Sequence, residues 1–141
     1  FTVYGPYGRP DMSLYNFFDN TIKGKSINVY NHGRHMRDFT YIDDVVKILV
    51  KIKDDIPKGD TPYQCLNIAN GKPIKIMDYI KLISKVLKKD VKIKYLNLQK
   101  GDVKKTHASN KLIKKKVGKF KATKLEDGLK LYHEWFLKYY Y

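Results

Sequence analysis

The chain has 141 residues, of which 43% are hydrophobic, and this is enough apolar material to exclude a disordered polypeptide. No apolar run approaches the roughly 18 residues of a membrane-spanning helix, so no membrane partner is expected. The formal net charge of +15 raises the question of nucleic-acid binding. The densest basic run, residues 111–121, lacks the interleaved aromatics of an RNA-binding sheet. It indicates a solvated lysine surface, and no nucleic-acid partner is expected.

Cysteine and histidine usage predicts no metal centre. Cys65 is the only cysteine, which excludes an intrachain disulfide and a cysteine-based zinc site and fits a reducing, cytoplasmic location. Its apolar surroundings, residues 64–68, predict a small core residue. The four histidines show no metal-ligand spacing and are expected to be structural. They are His32, His35, His107 and His133.

The first quarter of the chain predicts a strand, a stiff loop and a helix. Residues 1–4 are strand-like and lack the basic segment of a signal peptide, so we expect a chain cut partway through an element. Two glycines and two prolines within residues 5–10 predict a loop. Residues 12–23 have apolar positions at helical spacing, and Gly24 ends that helix.

The next segment predicts a strand at 27–30, a turn at 31–34 and an extended piece at 37–41. Asp43 and Asp44 then suit the first turn of a helix, where carboxylates face the positive end of the dipole. The inward face of that helix is expected to carry Val45, Ile48, Leu49 and Ile52.

The second half of the chain is predicted to mix strands and helices. The predicted elements are strands over 64–69 and 92–98 and helices over 76–87 and 109–117. In the later strand, Ile93 and Tyr95 are expected on the drier face. Thr123 and Glu126 form a capping box that opens a final helix. The chain is therefore predicted to be mixed α/β, with too few strands for a complete sheet of its own.

Two polar clusters suit anion binding. Residues 4–12 form a stiff loop just past a strand end, where Arg9 would meet an anion, unless it is simply a surface arginine on a tight turn. Residues 37–44 place Arg37 before a strand-to-helix turn, a natural phosphate position. The alternative is an Arg37–Asp38 pair that fixes the turn.

For the two aspartates that follow, Asp43 and Asp44, we favour a capping role. A third polar cluster, residues 99–103, is a turn after a predicted strand. Its short side chains would suit hydrogen bonds to hydroxyl groups, although a Lys-Gly-Asp turn is common and a weak signal by itself.

Together these clusters resemble the extended short-chain dehydrogenase/reductase family, which includes the NAD-dependent epimerases and dehydratases. The match is strongest to its UDP-glucuronate 4-epimerase branch. Five pieces follow that branch in register, and they span essentially the whole chain. The pieces are residues 1–12, 37–44, 66–71, 99–103 and 134–136.

The resemblance implies an α/β fold, the C-terminal substrate-binding portion of an extended Rossmann-fold enzyme with the NAD-binding half missing. Residues 1–141 would be the nucleotide-sugar-binding region, and residues 1–4 the end of a Rossmann strand. In such enzymes NAD and a catalytic Tyr-x-x-x-Lys pair belong to the N-terminal half. Here the residue four after Tyr4 is Gly8, and the residue four after Tyr95 is Gln99. The resemblance therefore implies no catalytic or NAD-binding residue in this chain, which is expected to be inactive alone.

The resemblance also implies a site for a UDP-sugar, a uronate in particular. Thr2 and Arg9 match residues that contact the sugar carboxylate. Arg37 matches an arginine on the diphosphate and ribose, and Asp102 matches an acid on the ribose hydroxyls.

Val29 and Tyr30 match positions near the uracil. Gln99 stands where sister branches carry an arginine, and Lys100 departs from the proline that is usual there. The family's dimer contacts lie in the other half, so the resemblance implies a homodimeric full-length protein and a monomeric chain here.

The implied activity of the full-length enzyme is interconversion of UDP-glucuronate and UDP-galacturonate at C4, through a 4-keto intermediate, for surface polysaccharide synthesis in the cytoplasm. Alternatives are a sister decarboxylase or 4,6-dehydratase, or a non-catalytic basic module that binds nucleic acid. The loop at residues 8–12 favours the epimerase.

Overall fold

The computed structural model describes residues 1–55 and 63–141. Short strands alternate with helices along these two stretches. The strands are β1 (Val3–Tyr4), β2 (Ile27–Val29), β3 (Met36–Arg37), β4 (Thr40–Tyr41), β5 (Ile74–Lys75) and β6 (Ile93–Tyr95). The α-helices are α1 (Ser13–Ile22), α2 (Ile42–Ile52), α3 (Ile76–Leu87), α4 (Lys111–Val117) and α5 (Leu125–Tyr140).

The strands pair two by two. β1 runs parallel to β4, β2 runs parallel to β6, and β3 runs antiparallel to β5. Parallel neighbours need a crossover connection, and helices provide it in both parallel pairs. The predicted mixed α/β architecture is confirmed.

The core lies where α1, α3 and α5 pack together. Phe18, Tyr79, Ile83, Leu129 and Phe136 are completely buried there. Burial of a side chain of this size contributes roughly 1.5–3 kcal/mol, so these helices anchor the molecule. The apolar spacing predicted α3 at its observed bounds and α1 within one residue at each end.

One glycine of α5 is required by this packing. A Cβ on Gly128 would overlap the ring and hydroxyl of Tyr4, which comes from β1. The close approach seats β1 against α5, and it brings the first residues of the chain beside the core.

The inward face predicted for α2 is only partly correct. Ile48 is buried, but Leu49 is 50% exposed together with Val46 and Val50. Helical spacing allows either Ile48 or Leu49 to face inward. In the described part of the chain, other residues pack only against the side of α2 that contains Ile48. The prediction for Leu49 is wrong for that reason.

The strand predicted over residues 64–69 is also wrong. A strand needs a neighbour for its backbone groups, and no ladder forms there within the described stretches. Ala69 is instead clamped by the side chain of Asn110, which donates to its carbonyl at 2.6 Å and accepts from its N–H at 3.1 Å. Cys65 is exposed, so its predicted core position is wrong as well.

The predicted capping residues have other partners. α5 begins at Leu125 without a side-chain cap, and Thr123 donates from its backbone N–H and its hydroxyl to Asp44, at 2.7 and 2.9 Å. Asp44 therefore ties α2 to the segment before α5, while Glu126 pairs with Lys85 at 3.0 Å. Asp43 and Asp44 lie in the first turn of α2 as predicted, although no side chain caps that helix. The predicted Thr123–Glu126 capping box is not observed, because both residues find long-range partners.

Two surface predictions have opposite outcomes. Tyr95 is 50% exposed, so its predicted place on the drier face of β6 is wrong. The lysines within residues 111–121 are exposed as expected, on and after α4. None of the helices in the described part of the chain combines the length and apolar character that a bilayer crossing requires.

Candidate functional site

A cavity of about 620 Å³ opens between α1, β2 and the β3–β4 stretch. Its size lies within the range of roughly 300–1,000 Å³ that is typical of small-molecule sites. Polar and apolar side chains share its wall. The lining residues are Thr2, Asp11, Met12, Ser13, Asn16, Phe17, Asn20, Asn28, Val29, Tyr30, His35, Arg37, Phe39, Ile76 and Asp102.

An ion pair between Arg37 and Asp102 dominates one side of this cavity. Arg37 Nη2 donates to Asp102 Oδ1 at 2.8 Å, and Nη1 donates to the carbonyl of Met36 at 3.0 Å. The two side chains are 17% and 28% exposed, so water screens them only in part. The predicted alternative, an Arg37–Asp38 pair, is wrong, since the partner of Arg37 lies 65 residues further along the chain.

Buried hydrogen bonds hold this ion pair in place. Asp38 has no exposed surface, and its carboxylate accepts from the N–H of Gly71 at 3.0 Å and of Ala108 at 3.3 Å. The hydroxyl of Thr106 accepts from the N–H of Asp38 at 3.1 Å. We call Arg37, Asp38 and Asp102 the anchored wall, because these bonds fix the turn that carries Asp102 against β3.

His35 completes that side of the cavity. It is 6% exposed, and its Nε2 lies 3.5 Å from Asp102 Oδ2 without forming a hydrogen bond. Burial lowers the pKa of His35; the charge of Arg37 also lowers it, while Asp102 acts in the opposite direction. The sequence analysis gave His35 a structural role. Its position two residues before Arg37 on an extended segment, which puts both side chains on one face, is the signal that was missed.

The opposite side of the cavity is lined by α1. Ser13, Asn16 and Asn20 face it at spacings of three and four residues, and Asn28 on β2 continues the polar surface. Spacings of three and four place side chains on one helix face. The apolar spacing that predicted α1 does not report on its polar face, so Ser13, Asn16 and Asn20 were not among the predicted site residues, and neither was Asn28 on β2.

Three further predicted site residues line the same cavity. Val29 and Tyr30 lie at the end of β2, and Thr2 lies at the entry to β1. Thr2 has a φ of 32°, which is unusual for a β-branched residue. Such strain is commonly found at binding sites, where the surrounding structure compensates for it. The neighbouring bond from Thr40 N–H to the carbonyl of Thr2, at 3.1 Å, is one such support.

Arg9 and Gln99 do not line the large cavity. Arg9 borders a smaller one of about 30 Å³, which shares Thr2 and Met12 with the large cavity. Its side chain is 75% exposed, and its Nε lies 3.3 Å from Asp11. Gln99 contributes its carbonyl, which accepts from the N–H of Asp102 at 3.2 Å and so shapes the turn.

The cavity has the composition of an organic-anion site. Within the described stretches no three His, Cys, Asp or Glu side chains converge as metal ligands. One guanidinium held by a carboxylate, several amides and two apolar surfaces would suit a ligand with a phosphate group, hydroxyls and a flat ring.

Comparisons with known proteins agree with this reading. Residues 1–69 match the model of the NAD dependent epimerase/dehydratase family. UDP-glucuronate 4-epimerase 4 of Arabidopsis thaliana is 37% identical over 99% of this chain and 35% of its own length. The chain spans between 35% and 46% of the length of the curated relatives that it matches.

Solved structures give the same assignment. UDP-glucuronic acid 4-epimerase of Bacillus cereus, in complex with UDP-glucuronic acid and NAD, superposes with a TM-score of 0.87 at 27% identity, over 99% of this chain and 44% of that one. An NAD-dependent NDP-hexosamine 5,6-dehydratase of tunicamycin biosynthesis superposes with a TM-score of 0.83 at 25% identity, over 98% and 44%. By sequence over residues 1–69, this chain is similar to the NAD dependent epimerase/dehydratase family, and by structure it is similar to a nucleotide-sugar epimerase and a nucleotide-sugar dehydratase.

Proposed function

We propose that residues 1–141 are the substrate-binding part of an NAD-dependent nucleotide-sugar epimerase that interconverts UDP-glucuronate and UDP-galacturonate at C4. The observation that carries the proposal is the Arg37–Asp102 pair in a cavity of about 620 Å³. The UDP-glucuronate 4-epimerases among the relatives and neighbours support the choice of sugar.

The anchored wall would bind the middle of the ligand. A UDP-sugar carries two phosphate charges, and a guanidinium that stays protonated is the suitable partner. Arg37 is already oriented by Asp102 and by the carbonyl of Met36, so little side-chain entropy is lost on binding. Asp102 Oδ2 accepts no hydrogen bond from the described residues, which leaves it free to accept one from a ribose hydroxyl.

The uracil would lie at the end of β2. Val29 is buried and Tyr30 half-buried at the cavity wall, which gives a flat ring an apolar surface. Asn28 on the same strand and Asn16 across the cavity offer amide groups that both donate and accept. A pyrimidine base presents donors and acceptors on one edge, so this arrangement suits it.

Arg9 and Thr2 would bind the sugar carboxylate. Arg9 is exposed and held by Asp11 alone among the carboxylates of the described residues, so it is able to turn toward the ligand. Oxidation at C4 of a uronate yields a β-keto acid, which loses CO₂ readily. A carboxylate held by Arg9 and Thr2 would stay out of the geometry that decarboxylation requires.

The proposal assigns no catalytic residue to residues 1–141. NAD, bound by another part of the complete protein, would supply hydride removal from C4 and hydride return to the opposite face of the 4-keto sugar. The residues of this chain would hold the diphosphate, base and carboxylate while the sugar ring turns over. Dimerisation would also belong to that other part, with residues 1–141 alone monomeric and inactive.

The test is product analysis with the complete protein, NAD and UDP-glucuronate. We expect UDP-galacturonate, identified by its anomeric NMR signals, without release of CO₂. A UDP-pentose together with CO₂ would replace the epimerase assignment with a decarboxylase. An absence of any conversion of UDP-glucuronate or UDP-galacturonate would refute the proposal.

A sister dehydratase is the second candidate, because a dehydratase is among the structural neighbours at a TM-score of 0.83. A dehydratase removes water from the sugar, so its product is lighter by that mass, whereas an epimerase leaves the mass unchanged. Mass spectrometry of the reaction mixture separates the two. The absence of a mass change, with a changed configuration at C4, is the result that we expect.

A further inference from the structure

The Nε2 atom of His35, beside the anchored wall, has no hydrogen-bond partner among the described residues. His35 is 6% exposed, and its Nε2 is inaccessible to solvent yet makes no hydrogen bond among the described residues. A buried polar atom without a partner costs about 1–3 kcal/mol. Native structures retain such a cost where the group has a further task.

The position of this nitrogen points to a ligand. His35 lines the large cavity, and its Nε2 approaches the oxygen of Asp102 that Arg37 does not use, at 3.5 Å. Arg37 donates to the other oxygen at 2.8 Å. Asp102 therefore lies between a permanent cation and a group that becomes a cation only when it binds a proton.

We propose that His35 is a titratable positioning residue of this cavity, whose Nε2 takes up one proton from solvent when a diphosphate ligand binds at Arg37. The proposal rests on the proposed function, since it requires an anionic nucleotide at the anchored wall. His35 would act on the ligand through Asp102: the new charge strengthens its contact with Asp102 and keeps that carboxylate in place when phosphate oxygens share the Arg37 guanidinium.

The charges around the imidazole of His35 determine whether ligand binding favours its neutral or its protonated form. In the free cavity His35 is kept neutral by burial and by Arg37, against the pull of Asp102. The remaining carboxylate of the cavity, Asp11, faces Arg9 at 3.3 Å, and the facing side chains of α1 are the neutral Ser13, Asn16 and Asn20. Two phosphate charges entering this space favour the charged imidazole, because opposite charges stabilise it.

Proton uptake can be counted by calorimetry. UDP-glucuronate is the probe, because each of its phosphates has one ester bond and shares the anhydride bond, which leaves only a strongly acidic OH on each. Its carboxyl group is ionised as well, so the ligand itself takes no proton near neutrality. The complete protein is titrated in buffers of different ionisation enthalpy. The slope of the apparent heat against that enthalpy gives the protons bound. We expect an uptake of up to about one proton in the pH range between the pKa values of His35 in the free and the bound protein. Across that range the affinity should fall with rising pH, by up to about tenfold per pH unit.

Two variants separate this role from a structural one. His35→Gln keeps a hydrogen-bonding group near the position of Nε2 but cannot titrate, so we expect binding at pH 8 to persist and the proton uptake to vanish. His107→Gln changes an exposed histidine outside the cavity and is expected to leave the uptake unchanged. If His35→Gln does not fold, the NMR titration of the His35 ring in the wild-type protein, free and ligand-bound, replaces it, with a higher pKa expected in the complex.

The outcomes are distinct. Binding of UDP-glucuronate without proton uptake, or with the same uptake in His35→Gln, would overturn the role of His35 and leave the proposed function standing. An absence of binding at every pH between 5.5 and 8 would overturn both.

Discussion

The two arginines that the sequence singled out lie in opposite kinds of surroundings. Arg37 belongs to the anchored wall: it is 17% exposed, and its guanidinium makes bonds of 2.8 and 3.0 Å. Arg9 belongs to an exposed loop: it is 75% exposed and faces Asp11 at 3.3 Å and the sulfur of Met12 at 3.8 Å. The first is fixed before any ligand arrives, whereas the second is free to move.

This difference teaches how one site can combine tight and selective binding. A side chain that is already oriented in the free protein loses little conformational entropy when the ligand binds, so its contact adds to affinity. A mobile side chain loses entropy on binding, which offsets part of the free energy of its contact. We therefore expect the anchored wall to hold the part common to all UDP-sugars. The Arg9 loop would then distinguish among sugars.

The largest expected effect breaks the anchored wall directly. Arg37→Ala removes the guanidinium that would bind phosphate and leaves the Asp102 carboxylate without its cation. The affinity for UDP should therefore fall by about 100-fold or more. The matched control is Arg34→Ala, an exposed arginine of the preceding turn that does not line the cavity. Calorimetric titration with UDP measures both variants; a loss of less than about threefold in Arg37→Ala would show that Arg37 does not bind the ligand.

The next effect concerns the buried hydrogen bonds to Asp38, which support the anchored wall. Asp38→Asn removes the negative charge and one of the two oxygens that accept from the buried N–H groups of Gly71 and Ala108, and we expect the free energy of unfolding to fall by about 1–3 kcal/mol. Asp43→Asn, on the exposed side of α2, should cost less than about 1 kcal/mol. Urea unfolding compares them, and equal effects would mean that Asp38 does not hold the wall.

A smaller and more selective effect is expected from the exposed loop. Arg9→Ala should lower kcat/KM for UDP-glucuronate by about tenfold and leave the stability of the protein within about 0.5 kcal/mol of wild type. Its expected signature is lost preference for uronates over UDP-glucose in the complete enzyme. Unchanged preference would mean that Arg9 does not contact the sugar carboxylate.

The smallest expected effect is a pH dependence of stability that comes from His35, which lies beside the anchored wall. Because burial lowers the pKa of His35 in the folded state, the unfolded chain binds more protons below the ordinary histidine value of about 6.5. Stability without ligand is then full above that pH and declines as the pH falls below it. The decline should shrink in His35→Gln, which has no imidazole to titrate. Urea midpoints at pH 5.5 and 7.5 measure it, and a decline that persists undiminished in His35→Gln would assign it elsewhere.

The sequence predicted the helices well because amphipathic spacing reports which face of one helix is buried. It predicted α3 at its observed bounds for this reason. Spacing does not reveal whether a strand has a neighbour, so residues 64–69 and Cys65 were misplaced. Nor does it reveal long-range partners: the bonds between Asp44 and Thr123 join residues 79 apart and replaced a predicted local cap.

For the site, motif resemblance pointed to single residues, and the structure supplied their grouping. Thr2, Val29, Tyr30, Arg37 and Asp102 line one cavity, while Arg9 and Gln99 lie beside it. His35 and the polar face of α1 were not predicted as parts of the site. Metal-ligand spacing does not report on a single histidine, and apolar spacing does not report on the polar face of a helix. The spacing of these residues is local, but the cavity that they line forms only when elements distant in the sequence come together.

The most direct test of the account compares the two arginines against two ligands in one calorimetric experiment. UDP and UDP-glucuronate are titrated into the wild-type protein, Arg37→Ala and Arg9→Ala. The account predicts that Arg37→Ala weakens both ligands by a similar factor and that Arg9→Ala weakens only UDP-glucuronate. Unchanged UDP affinity in Arg37→Ala, or an equal loss for both ligands in Arg9→Ala, would contradict the division of labour between the anchored wall and the exposed loop.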